Sequence, residues 1–271
     1  MIDGYYAIDY QVHSYRSHDG KASILEQCER AVELGLDELG FSEHKDFNPE
    51  DPVVGHFDYN RYSDEIAQAK ELYAGKLIIR MGVELDYQQW FQDMIADYLT
   101  DHAFDFIISS VHYADGATVM TPEYIRGRDV QECYQSYFEE VLASVRQGCM
   151  KILGHMEYAN RRGVPAFGPY EASPYREITT EIYDLMIRKG IALEINTAGL
   201  RQGAGITYPC EQQVALYAER GGKLLSIGSD AHRPEDLADC YTVAAEMALR
   251  NGFTHITTWK NGAPRQVPLK I

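Results

Sequence analysis

The sequence is most informative when examined outward from residues 8–14, Ile-Asp-Tyr-Gln-Val-His-Ser. An apolar start is followed by side chains that alternate between two faces, because a β-strand has a side-chain period of two. One face carries Asp9, Gln11 and His13. Asp and His are good metal ligands, whereas the carbonyl oxygen of Gln is a weaker one. The stretch therefore predicts a strand that ends at a metal site, with Gln11 as its unusual member.

Length and composition are typical of one large globular domain. The chain has 271 residues, of which 45% are hydrophobic and 24% are charged. Single α/β barrels commonly contain about 250 residues, so we expect one domain over residues 1–271. The formal net charge of -16 argues against nucleic acid or an anionic membrane as the main partner, since both need a basic face. A phosphorylated small molecule remains compatible if metals and a few arginines supply local positive charge.

The five cysteines, at positions 28, 133, 149, 210 and 240, are widely spaced and form no C-x-x-C pair. This pattern argues against a disulfide framework or a structural zinc knot, and it favours a reducing compartment. The first residues show no basic region followed by an apolar run, and no segment approaches the roughly 20 apolar residues that span a bilayer. We therefore expect a cytoplasmic protein.

Strand and helix patterns alternate along the chain. Strands are predicted at residues 6–13, 38–41, 77–83, 104–109, 151–153, 191–195 and 224–227, with a last strand-like run at 254–259. Helices are predicted at residues 24–34, 59–73, 88–99, 129–147, 175–189, 209–220 and 240–251. Ser23 and Glu26 form a capping box before the first helix, and residues 160–174 are predicted to form a long loop. Seven such repeats without a linker indicate a parallel sheet.

The polar ends of the predicted strands distinguish a barrel from an open sheet. All seven ends carry reactive residue types. A barrel brings such ends together at one mouth, whereas an open sheet spreads them along an edge. We therefore predict an α/β barrel.

Histidine and acidic residues concentrate at these strand ends. The candidate ligands are Asp9, Gln11, His13, Asp19, His44, Glu84, His112, His155, Asp230 and His232. The predicted helices contain almost no histidine, whereas five of the strand ends each carry one. Mixed imidazole and carboxylate ligands suit Zn²⁺, Mn²⁺ or Fe²⁺, and the lack of thiolates argues against a closed structural zinc site.

Ten candidate ligands are more than one ion needs. We predict two or three divalent ions that share a bridging carboxylate, either Glu84 or Asp230. Metals about 3.5–4 Å apart can clamp a phosphoryl group and lower the pKa of a bound water towards neutrality.

The series of motifs resembles the polymerase and histidinol phosphatase (PHP) superfamily over nearly the whole chain. The motifs are Asp9, His13 and Asp19 in the first segment, then S-E-H at 42–44, G-x-E at 82–84, S-V-H at 110–112, G-H at 154–155 and G-S-D-A-H at 228–232. Residues 194–201, with Tyr-Pro at 208–209, are similar to the histidinol-phosphatase branch. The resemblance implies a distorted (β/α)7 TIM-like barrel with a trinuclear metal centre that hydrolyses a phosphomonoester.

The resemblance also implies a ligand set. One ion would be held by Gln11, His13, Glu84 and Asp230, a second by Asp19, His44 and His232, and a third by Glu84, His112 and His155. Asp19 stands where relatives have either His or Asp. Gln11 stands where the motif has His, so we expect a weakened or oxygen-ligated first site.

Further residues are expected to contact the substrate. Arg201 follows the sixth strand, and Arg161 and Arg162 lie in the predicted loop, where each can form bidentate phosphate contacts or remain a solvated charge. His18 is expected either to contact phosphate or donate a proton, or to lie on the surface.

The predicted catalytic residues are Glu84, Asp230 and His232. The leaving alkoxide would take its proton from His232 or from a water at the metals. The implied substrate is L-histidinol phosphate. The alternatives are another small phosphorylated substrate, such as a nucleotide, sugar phosphate or phosphotyrosine, or a weakly catalytic metal-binding relative created by Gln11.

Overall fold

The structure is a computed structural model that describes residues 6–269. Its strands are β1 (Ile8–Val12), β2 (Glu38–Lys45), β3 (Ile78–Asp86), β4 (Phe106–Ser110), β5 (Tyr113–Ala114), β6 (Ala117–Thr118), β7 (Ile152–Leu153), β8 (Ala192–Asn196), β9 (Leu225–Gly228), β10 (His255–Lys260) and β11 (Ala263–Pro268). Its α-helices are α1 (Ile24–Leu34), α2 (Tyr59–Leu72), α3 (Gln92–Asp101), α4 (Pro122–Ile125), α5 (Val130–Gln147), α6 (Asn160–Phe167), α7 (Arg176–Lys189), α8 (Ala198–Arg201), α9 (Glu211–Glu219) and α10 (Tyr241–Arg250). Single turns of 3₁₀ helix lie at Gln89–Phe91, Ser173–Tyr175 and Pro234–Asp236.

Seven parallel strands form the barrel, in the order β1-β2-β3-β4-β7-β8-β9. A bridge between Val12 and Ala231 joins β1 to the segment after β9. There the His13 main-chain N–H donates to the Ala231 main-chain oxygen at 2.8 Å, and the Ala231 N–H donates to the Gln11 main-chain oxygen at 3.2 Å. Among residues 6–269 this closure consists of an isolated bridge and is therefore irregular; the register between β1 and β2 also shifts after Asp9. The predicted distorted (β/α)7 barrel is confirmed.

Helix α1 follows its local sequence signals closely. The Ser23 hydroxyl oxygen accepts from the Glu26 N–H at 3.2 Å, and the Glu26 carboxylate accepts from the Ser23 N–H at 2.7 Å. Gly35 ends the helix with a φ of 73°, a conformation that glycine adopts without strain. The predicted bounds of this helix are confirmed. Within residues 6–269, no helix combines the length and the apolar character needed to cross a membrane.

The predicted loop at residues 160–174 is wrong, because helix α6 occupies its first half. Gly163 is needed there for close packing: a Cβ atom at this position would lie 2.0 Å from the Tyr134 hydroxyl oxygen. That hydroxyl donates to the Asn160 side-chain oxygen at 2.5 Å. Pro165 lies within the helix. Packing against α5 therefore overrides the low helix propensity of glycine and proline.

The opposite end of the barrel is closed by the antiparallel hairpin of β10 and β11. The predicted run at 254–259 corresponds to β10, whereas β11 was not predicted. The Trp259 N–H donates to the Tyr10 hydroxyl at 3.0 Å, and the rings of these residues lie 5.6 Å apart. Tyr10 in turn lies 4.6 Å from the ring of Phe106 inside the barrel. Aromatic packing thus fills the end away from the polar strand ends.

Gly82 on β3 leaves the space that the Phe106 ring occupies. A Cβ atom at position 82 would lie 2.3 Å from Cζ of Phe106, which is fully buried. We expect Gly82→Ala to lower the free energy of unfolding by about 2–3 kcal/mol, the upper range for an overpacked core. Urea denaturation would measure this loss. Phe106→Leu in the same chain should recover part of it, and strictly additive losses would contradict the proposed clash.

Candidate metal centre

A cavity of about 530 Å³ lies where the carboxyl ends of the barrel strands meet. The predicted site residues in its lining are His18, Asp19, His44, Glu84, His112, His155, Arg161, Arg201, Asp230 and His232. Gln11 and His13 are outside the lining and fully buried. The strands therefore bring most of the residues predicted from sequence into one space.

Three histidines form a first cluster. Ligand nitrogens of His13, His44 and His232 all lie within 4.8 Å of one another. Two carboxylates adjoin them: Asp230 Oδ1 is 3.3 Å from Nε2 of His13, and Asp19 Oδ2 is 3.1 Å from Nε2 of His232. This set combines imidazole and carboxylate donors, which suits a borderline divalent metal.

Glu84, His112 and His155 form a second cluster, whose ligand atoms also lie within 4.8 Å of one another. The Nε2 atoms of the two histidines are 3.2 Å apart. His155 Nε2 is 2.9 Å from Oε1 of Glu84. Asp86 lies 3.1 Å from Nδ1 of His112, on the far side of that ring. The ring therefore turns Nε2 towards the cluster.

Glu84 joins the two clusters. Its Oε1 faces His155, while its Oε2 lies 3.2 Å from Nδ1 of His44 and 3.4 Å from Nε2 of His13. Burial alone would raise the pKa of this carboxyl, but His44 and His155 hold the pKa of Glu84 well below its usual range. An ionised carboxylate that directs one oxygen to each cluster has the geometry of a bridging ligand.

The buried donor atoms fit metal ions. His13 Nε2, Asp19 Oδ1 and Glu84 Oε2 are buried and make no hydrogen bond within residues 6–269. An unpaired buried polar atom costs about 1–3 kcal/mol, so such atoms are rare in folded proteins. Burial lowers the pKa of His13, as do the neighbouring His232 and His44, and the neutral imidazole is the form that binds metals. Divalent cations would satisfy all of these atoms.

The side chain of Gln11 is hydrogen-bonded to Asn196. Its side-chain oxygen accepts from Nδ2 of Asn196 at 2.7 Å. The orientation of Asn196 is fixed, because Nδ2 also donates to the Glu194 carboxylate at 3.2 Å and Oδ1 accepts from the Ala198 N–H at 2.9 Å. The Gln11 amide nitrogen makes no hydrogen bond within residues 6–269. The one atom of Gln11 that can coordinate a metal is therefore held by a protein donor.

Arg201 and Arg161 reach the cavity from α8 and α6. One nitrogen of Arg201 donates to the main-chain oxygens of Ser229 at 2.6 Å and Asp230 at 2.9 Å, which anchors the side chain beside the clusters. Arg161 donates to the Tyr158 hydroxyl at 2.6 Å. A guanidinium carries five N–H donors, so both arginines retain donors for an anion in the cavity.

The two remaining predicted substrate contacts differ in position. His18 lines the cavity, and its Nε2 lies 3.8 Å from Asp19 Oδ2. Arg162 is exposed, lies outside the lining, and donates from Nε to the Met120 main-chain oxygen. The structure therefore gives no support to a phosphate contact for Arg162.

Several supporting residues were missed in the sequence. Asp86 contacts His112, and it lies two residues after Glu84 on the same strand face, so the period of two was a usable signal. Ser17 lies next to His13 in the folded chain and Glu43 lies next to Ser17, which no spacing in the sequence reveals.

The PHP domain family model matches residues 9–198 of this chain. The probable histidinol-phosphatase of Deinococcus radiodurans is 28% identical over 241 residues, which cover 84% of this chain and 87% of the relative. The histidinol-phosphatase of Lactococcus lactis subsp. lactis is 28% identical over 239 residues, covering 83% and 84% of the two chains. The histidinol-phosphatase of Bacillus subtilis is 26% identical over 265 residues, covering 88% and 98%.

The fold is similar to a solved structure of one of these proteins. The crystal structure of histidinol phosphate phosphatase from Lactococcus lactis subsp. lactis, complexed with zinc, L-histidinol and phosphate, superposes with a TM-score of 0.89 at 24% identity. The match covers 97% of this chain and 100% of that one. The family match at residues 9–198 spans more than half of the 271 residues. This chain therefore belongs to the PHP domain family.

Proposed function

We propose that this chain is a metal-dependent phosphomonoester hydrolase that converts L-histidinol phosphate and water to L-histidinol and phosphate. The observation that carries the proposal is the position of Glu84, which directs one oxygen to each histidine cluster in a cavity that two arginines also line. The relatives named histidinol-phosphatase support the choice of substrate.

In this proposal the protein holds two or three divalent ions, of zinc, manganese or iron. The ligands would be His13, Glu84 and Asp230 for one ion, Asp19, His44 and His232 for another, and Glu84, His112 and His155 for the remaining one. When bound, such ions stabilise charge on phosphoryl oxygens and lower the pKa of water. The zinc in the Lactococcus structure supports zinc as one of the choices.

Arg201 and Arg161 would bind the phosphate dianion. Both line the cavity, and Nη1 of Arg201 is buried without a hydrogen bond among residues 6–269. Charge-assisted bonds from a preorganised guanidinium stabilise the additional charge of a phosphoryl transition state. His18 would contact the same group, a proposal supported by its position in the lining of the cavity.

The proton for the leaving alkoxide would come from water rather than from His232. Nδ1 of His232 lies 2.9 Å from the Asp230 main-chain oxygen, which can only accept, so Nδ1 carries the hydrogen of the neutral ring. Nε2 then has a lone pair, is buried without a hydrogen bond among residues 6–269 and lies 3.1 Å from Asp19 Oδ2, which favours a ligand role for this histidine. Glu84 and Asp230 would contribute to catalysis by holding charge next to the reacting phosphate.

A substrate panel tests the proposed function. The protein, loaded with zinc, manganese or iron, would be assayed for phosphate release from L-histidinol phosphate, a nucleotide, a sugar phosphate and phosphotyrosine. We expect the largest kcat/KM for L-histidinol phosphate. Turnover of another ester with none of L-histidinol phosphate would overturn the substrate assignment. Bound metal without turnover of any ester would instead indicate a weakly catalytic metal-binding relative.

Substitution of Gln11 tests the first metal site. We expect Gln11→His to tighten one ion by about tenfold or more, equivalent to roughly 1.4 kcal/mol, because imidazole is the better ligand for a borderline metal. Isothermal titration calorimetry and metal analysis would measure the change. Gln11→Leu is the control: it should bind metals as the natural chain does, because Asn196 already holds the Gln11 oxygen. Weaker binding by Gln11→Leu would show that this oxygen coordinates.

A further inference from the structure

Ser17 lies at a junction beneath the first cluster. Its hydroxyl oxygen is 2.6 Å from Oε2 of Glu43, 3.1 Å from Nδ1 of His13 and 3.0 Å from the main-chain nitrogen of His44. Ser17, Glu43 and His13 are buried, and each residue is at most 2% exposed. The directions of the hydrogen bonds at this junction are therefore set by protein groups and not by solvent.

The hydrogens at the junction can be assigned by counting donors. A serine hydroxyl carries one hydrogen, and the 2.6 Å contact with an acceptor-only carboxylate takes it. The same oxygen must then accept from the His44 N–H and from His13. His13 therefore carries its proton on Nδ1, and its Nε2 presents a lone pair.

Glu43 is fixed in turn by Ser14. The Ser14 hydroxyl donates to Oε1 of Glu43 at 2.6 Å, and the Ser14 N–H lies 3.1 Å from both carboxylate oxygens. The Ser14 hydroxyl itself accepts from the Arg16 N–H at 3.1 Å, so its hydrogen is directed to the carboxylate. The Ser14 N–H, the Ser14 hydroxyl and the Ser17 hydroxyl thus all donate to Glu43. Along the chain of hydrogen bonds, His13 donates to Ser17 and Ser17 donates to Glu43.

We propose that Ser17 and Glu43 are positioning residues that hold His13 in the Nδ1–H tautomer, with Nε2 directed to a metal ion. The inference rests on the proposed metal centre. Nε2 of His13 lies 3.3 Å from Asp230 Oδ1 and 3.4 Å from Glu84 Oε2, an arrangement of three lone pairs that a cation would stabilise. Substitution of a residue that hydrogen-bonds to a ligand histidine typically lowers metal affinity by about 10–100-fold.

The substitution Glu43→Gln would reverse the direction of the hydrogen bonds between residue 43, Ser17 and His13. The amide oxygen of the glutamine would face the two donors of Ser14, and its NH₂ group would donate to the Ser17 hydroxyl. That hydroxyl would then direct its own hydrogen to Nδ1 of His13. The imidazole proton would move to Nε2 and point at the metal site, so Glu43→Gln should be at least as harmful as loss of the hydroxyl in Ser17→Ala.

Metal titration tests the inference. Metal-free protein would be titrated with Zn²⁺ by calorimetry and with Co²⁺, whose visible spectrum reports its ligands. We expect Ser17→Ala and Glu43→Gln to weaken one ion by about 10–100-fold, with a changed Co²⁺ spectrum, while Ser17→Thr retains the natural affinity. Ser23→Ala is the matched control, because Ser23 also donates to a glutamate, at 2.7 Å, but caps α1 away from the ligands.

The outcomes separate this inference from the proposed function. Unchanged Zn²⁺ affinity in both Ser17→Ala and Glu43→Gln, or equal losses in Ser17→Thr and Ser17→Ala, would overturn it. Weakened binding in the two variants, with no turnover of L-histidinol phosphate by the natural chain, would leave it standing and refute the proposed substrate. Circular dichroism would establish that each variant is folded, and either variant alone suffices for the comparison.

Discussion

Replacing Glu84 with glutamine is expected to reduce kcat/KM for L-histidinol phosphate by about 10³-fold or more and to lower the metal content of the protein. A thousandfold loss corresponds to about 4 kcal/mol of transition-state stabilisation, a reasonable share of what a metal centre supplies. No other carboxylate among residues 6–269 extends one oxygen to each histidine cluster.

The physical reason is that glutamine has one oxygen and no charge. If its oxygen faces His155, its NH₂ group faces His44 and His13, and the reverse placement harms the second cluster. Either way one cluster receives a donor where a cation needs an acceptor. Both the charge balance and the coordination of at least one ion would be lost.

Metal analysis and steady-state kinetics measure the effect of Glu84→Gln. Glu38→Gln is the control, because Glu38 is equally buried on β2 but accepts from Tyr10 and Arg80, both at 2.5 Å, at the closed end of the barrel. It should keep its metals and most of its activity. Full metal content and more than a tenth of the activity in Glu84→Gln would refute the bridging role.

Removal of the metals is expected to lower the melting temperature by about 10 °C. The proposed ligands lie on or after six different strands, so an unfolded chain could not present them together and the ions would bind the folded state. At a concentration 1,000 times Kd, one such ion stabilises a protein by about 4 kcal/mol. Each kcal/mol shifts the melting temperature by roughly 2–4 °C in chains of 150–250 residues.

Thermal unfolding followed by circular dichroism, with and without a chelator, tests this expectation. Adding back zinc, manganese or iron should restore the melting temperature. Glu84→Gln should respond less to the chelator, because it is expected to hold fewer ions. An unchanged melting temperature after complete loss of the ions would show that the ligands are ordered by the protein alone.

The barrel and most of the centre could be predicted because their signals are local. Six of the seven predicted strand ends carry a proposed ligand within a few residues of an apolar run, as in Asp9 to His13. The cap formed by Ser23 and Glu26 is equally local, so the bounds of α1 were predicted correctly. Parallel strands then bring the ends together without further information from the sequence.

The parts that could not be predicted depend on partners that are distant in the chain. Gly163 suggests a loop until its contact with Tyr134 is known, and Glu43 gains its role only where it meets Ser17. Strand β11 contains Pro264 and Pro268, and proline is unfavourable in most strands. It is tolerated because β11 pairs with β10 alone in a two-stranded sheet.

The irregular closure of the barrel has a consequence for its dynamics. Within residues 6–269, an isolated bridge at Val12 and Ala231 joins the first and last strands, whereas β2 and β3 are paired along their length. His13 lies on one side of this seam and Asp230 on the other. An ion bound to both residues would cross-link the seam, and loss of this ion would make local opening of the barrel at the seam more frequent. Amide protons at the seam would then exchange with solvent sooner than those of β2 and β3. The two segments that carry His13 and Asp230 would therefore be the first part of the barrel to separate by local unfolding.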